Sequence, residues 1–200
     1  MFMLCSRQAR SVISFHINLI RIRTATSAVQ SMTHVTQIPF PAESRLQPLL
    51  AGAHYHDAFS AEMADPGLRP VDLMARFSAA FPAWGETLLG VRNQVVKRLG
   101  LRDVGAFRKA DASAPGAVQV GDPLGIFHVL AMDDAEMVLG VDDDHLDVRI
   151  SVLKRGEPSR ASYVIGSVVT IHNLLGRLYM LPVAPIHRLI VRDAMRRAGI

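Results

Sequence analysis

The chain has 200 residues, half of them hydrophobic, with 22 Lys and Arg against 18 Asp and Glu. This suits a single domain with its own core. Arg7, Arg10, Arg21 and Arg23 precede the first acid, Glu43, and carry the whole surplus of +4, so the remainder lacks the clustered basic patch that a nucleic-acid backbone requires.

Residues 1–31 stand apart in composition. They contain Arg and Ser, no acid, and an apolar patch from Val12 to Ile20 interrupted by His16 and Asn18. A transit peptide has this composition. A disordered extension, or a start at Met32, fits better, because nothing in the segment packs a core alone. Its Arg-flanked apolar residues would also suit grazing contact with a membrane surface. Cys5, the only cysteine, lies here. It rules out a disulfide within the chain and a thiolate metal cluster, and fits a reducing, cytoplasmic setting.

One domain is expected over residues 38–198. Ala53 to Met63 alternates weakly through Tyr55, Asp57 and Phe59, as an early edge strand would. Asp65-Pro66-Gly67 is a turn. Pro70 suits the first turn of a helix carrying Leu73, Phe77 and Phe81, which Pro82 stops. Trp84 opens a second helix with Leu88, Val91, Val95 and Leu99 on one face and Gly100 as its C-cap. Gly105 to Pro123 reads as a loop. Four strands follow: Leu124 to Ala131, Glu136 to Val141, Leu146 to Lys154 and Ala161 to Ile171. The third is the clearest, since Leu146, Val148, Ile150 and Val152 alternate with Asp147, Arg149 and Ser151. The connections are too short for crossovers, so the sheet is antiparallel. Asn173 can cap a helical stretch that Pro182 and Pro185 break. A final helix then starts near Pro185, with Ile186, Leu189, Ile190 and Ala194 on one face and Arg188, Arg192 and Arg196 on another. No stretch reads as a transmembrane helix. The longest uncharged run, Ala161 to Gly176, is strand-like and short of the roughly 20 apolar residues of a span.

The class is therefore α+β, and the order resembles the helix-grip fold, in which a curved sheet wraps a long terminal helix around a cavity. Three groups of phrases carry a closer resemblance. They are Pro82-Ala83-Trp84 leading to Leu89-Gly90-Val91-Arg92-Asn93; Val138-Leu139-Gly140 with Asp143 to Arg149; and Asn173 to Tyr179 with Pro185 to Ile190. Together they resemble DUF2867, a family of unknown function found alone or fused to dehydrogenase-like domains. The resemblance implies a START-like, helix-grip fold over roughly Pro39 to Ala198, and no established activity. No Gly-x-Gly-x-x-Gly follows a strand here, so no nicotinamide cofactor is expected.

His145, Asp147 and Arg149 form the densest polar group. Asp147 and Arg149 share a strand face, and His145 joins them if the strand begins early enough. The group would then offer a His acid/base oriented by Asp147, with Arg149 holding an anion. A solvated face with a weak ion pair is the plainer role. His172, Asn173, Arg177 and Tyr179 sit where the last strand meets the terminal helix and would suit a cavity mouth, although capping and packing account for Asn173 and Tyr179 as well. Trp84, Arg92 and Asn93 would line the cavity from the two-helix side, unless Trp84 anchors the core. His187-Arg188 reads as surface. His54 and His56 lack a third ligand nearby, and Asp142-Asp143-Asp144 lacks calcium-loop spacing, so no metal is expected. These features suit a module holding a small hydrophobic or amphipathic molecule between sheet and terminal helix. A cyclase or isomerase using a His-Asp pair, and an interaction domain with a filled core, are the alternatives.

Overall fold

A computed structural model describes residues 34–85, 87, 118–157 and 160–200. The leader over 1–31, residues 88–100 of the second helix and 101–117 of the loop lie outside the described residues, and Arg92 and Asn93 with them. The described strands are β1 (Thr36–Gln37), β2 (Tyr55–Glu62), β3 (Pro123–Leu124), β4 (Phe127–Met132), β5 (Glu136–Asp142), β6 (Leu146–Arg155) and β7 (Ser162–Ile171). They form one antiparallel sheet in the order β1-β2-β7-β6-β5-β4-β3. Helices α1 (Pro70–Ala79) and α2 (Leu174–Ala198) complete a curved-sheet, helix-grip-like α+β fold.

Period-two alternation gives the sheet two different faces. Phe59, Ala61, Tyr163, Ile165, Val152, Met137, Leu139 and Val129 line the inner face and pack with Leu73 and Phe77 of α1 and Val191, Ala194 and Met195 of α2. Nearer the start of α2, Leu146, Val169 and Met180 form a second cluster with Tyr55, Tyr179 and Val183. Val138, Leu153, Val164 and Val168 point to the outer face. They are covered by the segment ahead of β2, through Ile38, Phe40, Leu46 and Leu50. Gly166 makes room for this cover, because a Cβ there would lie 2.8 Å from the Phe40 ring.

Two expectations need correction. β2 is no edge strand: it pairs with β7 over its whole length, from Tyr55 opposite Val169 to Glu62 opposite Ser162, with the short β1 on its other side. The terminal helix is also not broken at the prolines, since α2 runs unbroken through Pro182 and Pro185. Both prolines are exposed, and so are Leu178 and Leu181, whose carbonyls lose their helical donors. Exposure leaves those carbonyls open to solvent, so the helix continues through the prolines rather than ending. Splitting this helix also concealed its apolar length. By length and composition α2 could cross a membrane, with a mean hydropathy of 1.3 over 18 residues. Gly199 ends it in the left-handed conformation (φ +58°), which turns Ile200 back into the core.

Candidate functional site

An acid occupies the inner face of the sheet. Asp57 lies between Tyr55 and Phe59 on the buried side of β2 and is almost wholly inaccessible. Tyr55 donates its hydroxyl to Asp57 Oδ2. Among the described residues Asp57 Oδ1 makes no hydrogen bond, and it lies 3.6 Å from His187 Nε2 of α2. The same Nε2 is 3.1 Å from Ser167 Oγ of β7. Arg188 completes the set from the next position of α2. Its Nε donates to the Tyr55 hydroxyl at 3.3 Å, and its guanidinium lies 5.5 Å from the centre of the Tyr55 ring.

Burial alone would raise the Asp57 pKa, but the neighbouring His187 imidazole, with the Tyr55 and Ser167 hydroxyls, holds the carboxyl below its ordinary range. Burial and the neighbouring Asp57 push the Tyr55 phenol well above its ordinary value, so it remains a donor at neutral pH. The arrangement differs from a nucleophilic Ser-His-Asp triad. In a triad the acid and the serine meet opposite ring nitrogens. Here both face Nε2, so His187 cannot pass a proton between them, and Ser167 is buried. What the set provides is a held carboxylate, a partly exposed imidazole and a phenol–guanidinium pair beside it.

The sequence-predicted residues fall into separate groups. β6 begins at Leu146, so His145 stays in the preceding turn and does not join Asp147 and Arg149. His145 is buried, packs edge-on against Tyr179 of α2 (ring centres 5.6 Å apart), and has Nδ1 3.4 Å from Asp143 Oδ2. Among the described residues, neither ring nitrogen makes a hydrogen bond. Asp147 and Arg149 share the outer face but take different partners. Asp147 meets His172 Nε2 at 3.1 Å, and Arg149 meets Asp142 Oδ1 at 2.5 Å. Arg149 crosses β5 over Gly140, where a Cβ would sit 3.0 Å from its side chain. Asn173 caps α2 by accepting from the Gly176 amide, and donates to the Asp144 carbonyl. Arg177 is exposed. Trp84 is partly exposed and donates its indole N–H to Asp193 of α2 at 3.0 Å.

A family model described as a protein of unknown function (DUF2867) matches residues 49–194. The chain belongs to the DUF2867 family. No curated protein matches it. The DUF2867 match takes in Tyr55, Asp57, Ser167, His187 and Arg188, and leaves out Phe40, Ser44 and Arg45 of the segment covering the outer face.

Sequence reasoning missed the inner set. One signal was present: Tyr55, Asp57 and Phe59 share a face by alternation, which puts a carboxylate between two aromatic rings on a side too apolar for it to stand unpaired. The junction of the DUF2867 sheet with α2 can be tested separately. Gly176 lies against the turn before β6, and a Cβ there would come within 2.3 Å of the His145 carbonyl oxygen. Gly176→Ala is expected to cost about 1–3 kcal/mol in urea unfolding, since backbone must move to admit it.

Proposed function

We propose that this DUF2867 domain binds a small hydrophobic or amphipathic molecule between the inner face of the sheet and α2, with its polar end at Tyr55, Asp57, His187 and Arg188. The observation that carries this is Asp57, a buried carboxylate with one oxygen that makes no hydrogen bond among the described residues, beside an imidazole and an arginine that reach outward. Such polar groups are costly in an apolar layer unless used. The aromatic and aliphatic neighbours would supply affinity and the polar groups orientation. A START-like scaffold, which the resemblance implies, would enclose a cavity in this position, and the single cysteine favours a reducing compartment such as the cytoplasm.

A cyclase or isomerase is the second reading, favoured by the two His-Asp couples. His187–Asp57 is the better placed of them, because its acid is shielded whereas both members of His172–Asp147 are partly exposed. In that role His187 would move the proton and Asp57 would stabilise the imidazolium. An interaction domain with a filled core would need neither couple.

Native mass spectrometry of protein purified without refolding tests the proposal. A co-purifying small molecule retained by wild type and lost from His187→Gln is expected. A clean apo mass, with no thermal stabilisation by a panel of fatty acids and aromatic acids, would remove the binding reading.

A further inference from the structure

We infer that the exposed face of α2 docks onto an anionic lipid surface, with the helix lying in the plane of the interface. Leu174, Leu178, Leu181 and Leu189 are 70%, 56%, 72% and 58% exposed and follow one another at helical spacing along about 22 Å of α2. Only 17% of the most apolar window of the helix is buried. Solvated helices of globular domains show polar residues on this side, and a contiguous apolar stripe on a monomer marks an interaction surface.

The charges around the stripe choose its occupant. From Leu174 to Arg192 the helix has no acid, and its arginines are the exposed Arg177, the exposed Arg188, whose Nε is bonded to Tyr55, and Arg192, half-buried with its guanidinium over the Phe59 ring. The first acid beyond, Asp193, is engaged by Arg197 and Trp84. At the opposite end, Asp143 faces His145, Asp142 faces Arg149, and the Asp144 carbonyl accepts from Asn173 beside Leu174. The contact is therefore centred on Leu178 to Leu189. A second copy packed on this face would bring arginine towards arginine with no acid to answer it, since a two-fold interface sets a patch against itself. Anionic headgroups complement the same face, with leucines entering the acyl boundary and the exposed Arg177 and Arg188 at headgroup level. Spanning the bilayer is excluded by the packing of the other side, where Met180, Ile190, Val191, Ala194 and Met195 are buried.

Vesicle co-sedimentation of the full chain tests this, using phosphatidylcholine alone and phosphatidylcholine with phosphatidylserine. Wild type is expected to sediment with the anionic vesicles about tenfold better than with the neutral ones, and less as salt rises. Combined Leu178→Gln, Leu181→Gln and Leu189→Gln should abolish this while far-UV circular dichroism and the melting temperature stay as in wild type. Arg177→Gln should weaken it partially. Wild type remaining in the supernatant with both vesicles would overturn the inference. So would binding untouched by the leucine substitutions, which would assign it to residues 1–31. A dimer that the same substitutions convert to monomer, without vesicle binding, would give the face to a second copy.

Discussion

Asp57→Ala is expected to destabilise the protein by about 3 kcal/mol in urea unfolding at neutral pH, with an unchanged dependence on denaturant. The carboxylate accepts from Tyr55 and faces His187, and removing it leaves the Tyr55 hydroxyl and Ser167 in an apolar layer with one acceptor fewer. Asp57→Asn keeps the shape and loses the charge, so it should cost less. The double change Asp57→Asn with His187→Gln should cost less than the two single costs added together, because the partners are coupled. The pH dependence has a definite sign. The folded-state pKa of Asp57 lies below its ordinary value. Its contribution is therefore present above the ordinary carboxyl range of about 3.9 and is lost as pH falls through the lower folded value. Wild type should lose stability on that acid limb more steeply than Asp57→Asn. Parallel acid limbs would show that the ionised carboxylate contributes nothing.

This network lay largely beyond the reach of sequence, and the reasons are physical. β6 was legible because it is half buried: Leu146, Val148, Ile150 and Val152 face the helices while Asp147 and Arg149 face outward, as their alternation requires. The turn at Asp142 to Asp144 and the Asn173 cap were legible because local backbone chemistry fixes them. His187 was not. Its position depends on the helix continuing from Leu174 through two prolines, and on tertiary packing that brings it beside Asp57, 130 residues earlier. His145 failed for a smaller reason. A strand beginning one residue later left its ring in the turn, packed on Tyr179, instead of beside Asp147. Where side chains meet within one strand or turn, spacing locates them. Where they meet across layers, only the fold does.

The outer face gives the second large effect. Glu136 is buried, accepts from Ser44 Oγ at 2.7 Å, Ser151 Oγ at 2.5 Å and the Arg45 amide at 2.9 Å, and has the Arg45 guanidinium 3.9 Å away. It thus ties the segment ahead of β2 to β5 and β6, more than 90 residues further along the chain. Glu136→Ala should cost about 3 kcal/mol, because two hydroxyls and one backbone N–H lose their acceptor in a site that water does not readily enter. Glu136→Gln should cost about 1–2 kcal/mol: it keeps one acceptor oxygen but turns an N–H₂ towards groups that are themselves donors. Hydrogen exchange should locate the damage. Amides of Leu46, Leu49 and Ala53, bonded only within this segment or its turns, should exchange faster in Glu136→Ala. The paired amides of β6 and β7 should change only by the global loss. Uniform acceleration across the sheet would mean that the segment and the sheet unfold as one unit, and that Glu136 serves the whole fold rather than the attachment of its outer cover.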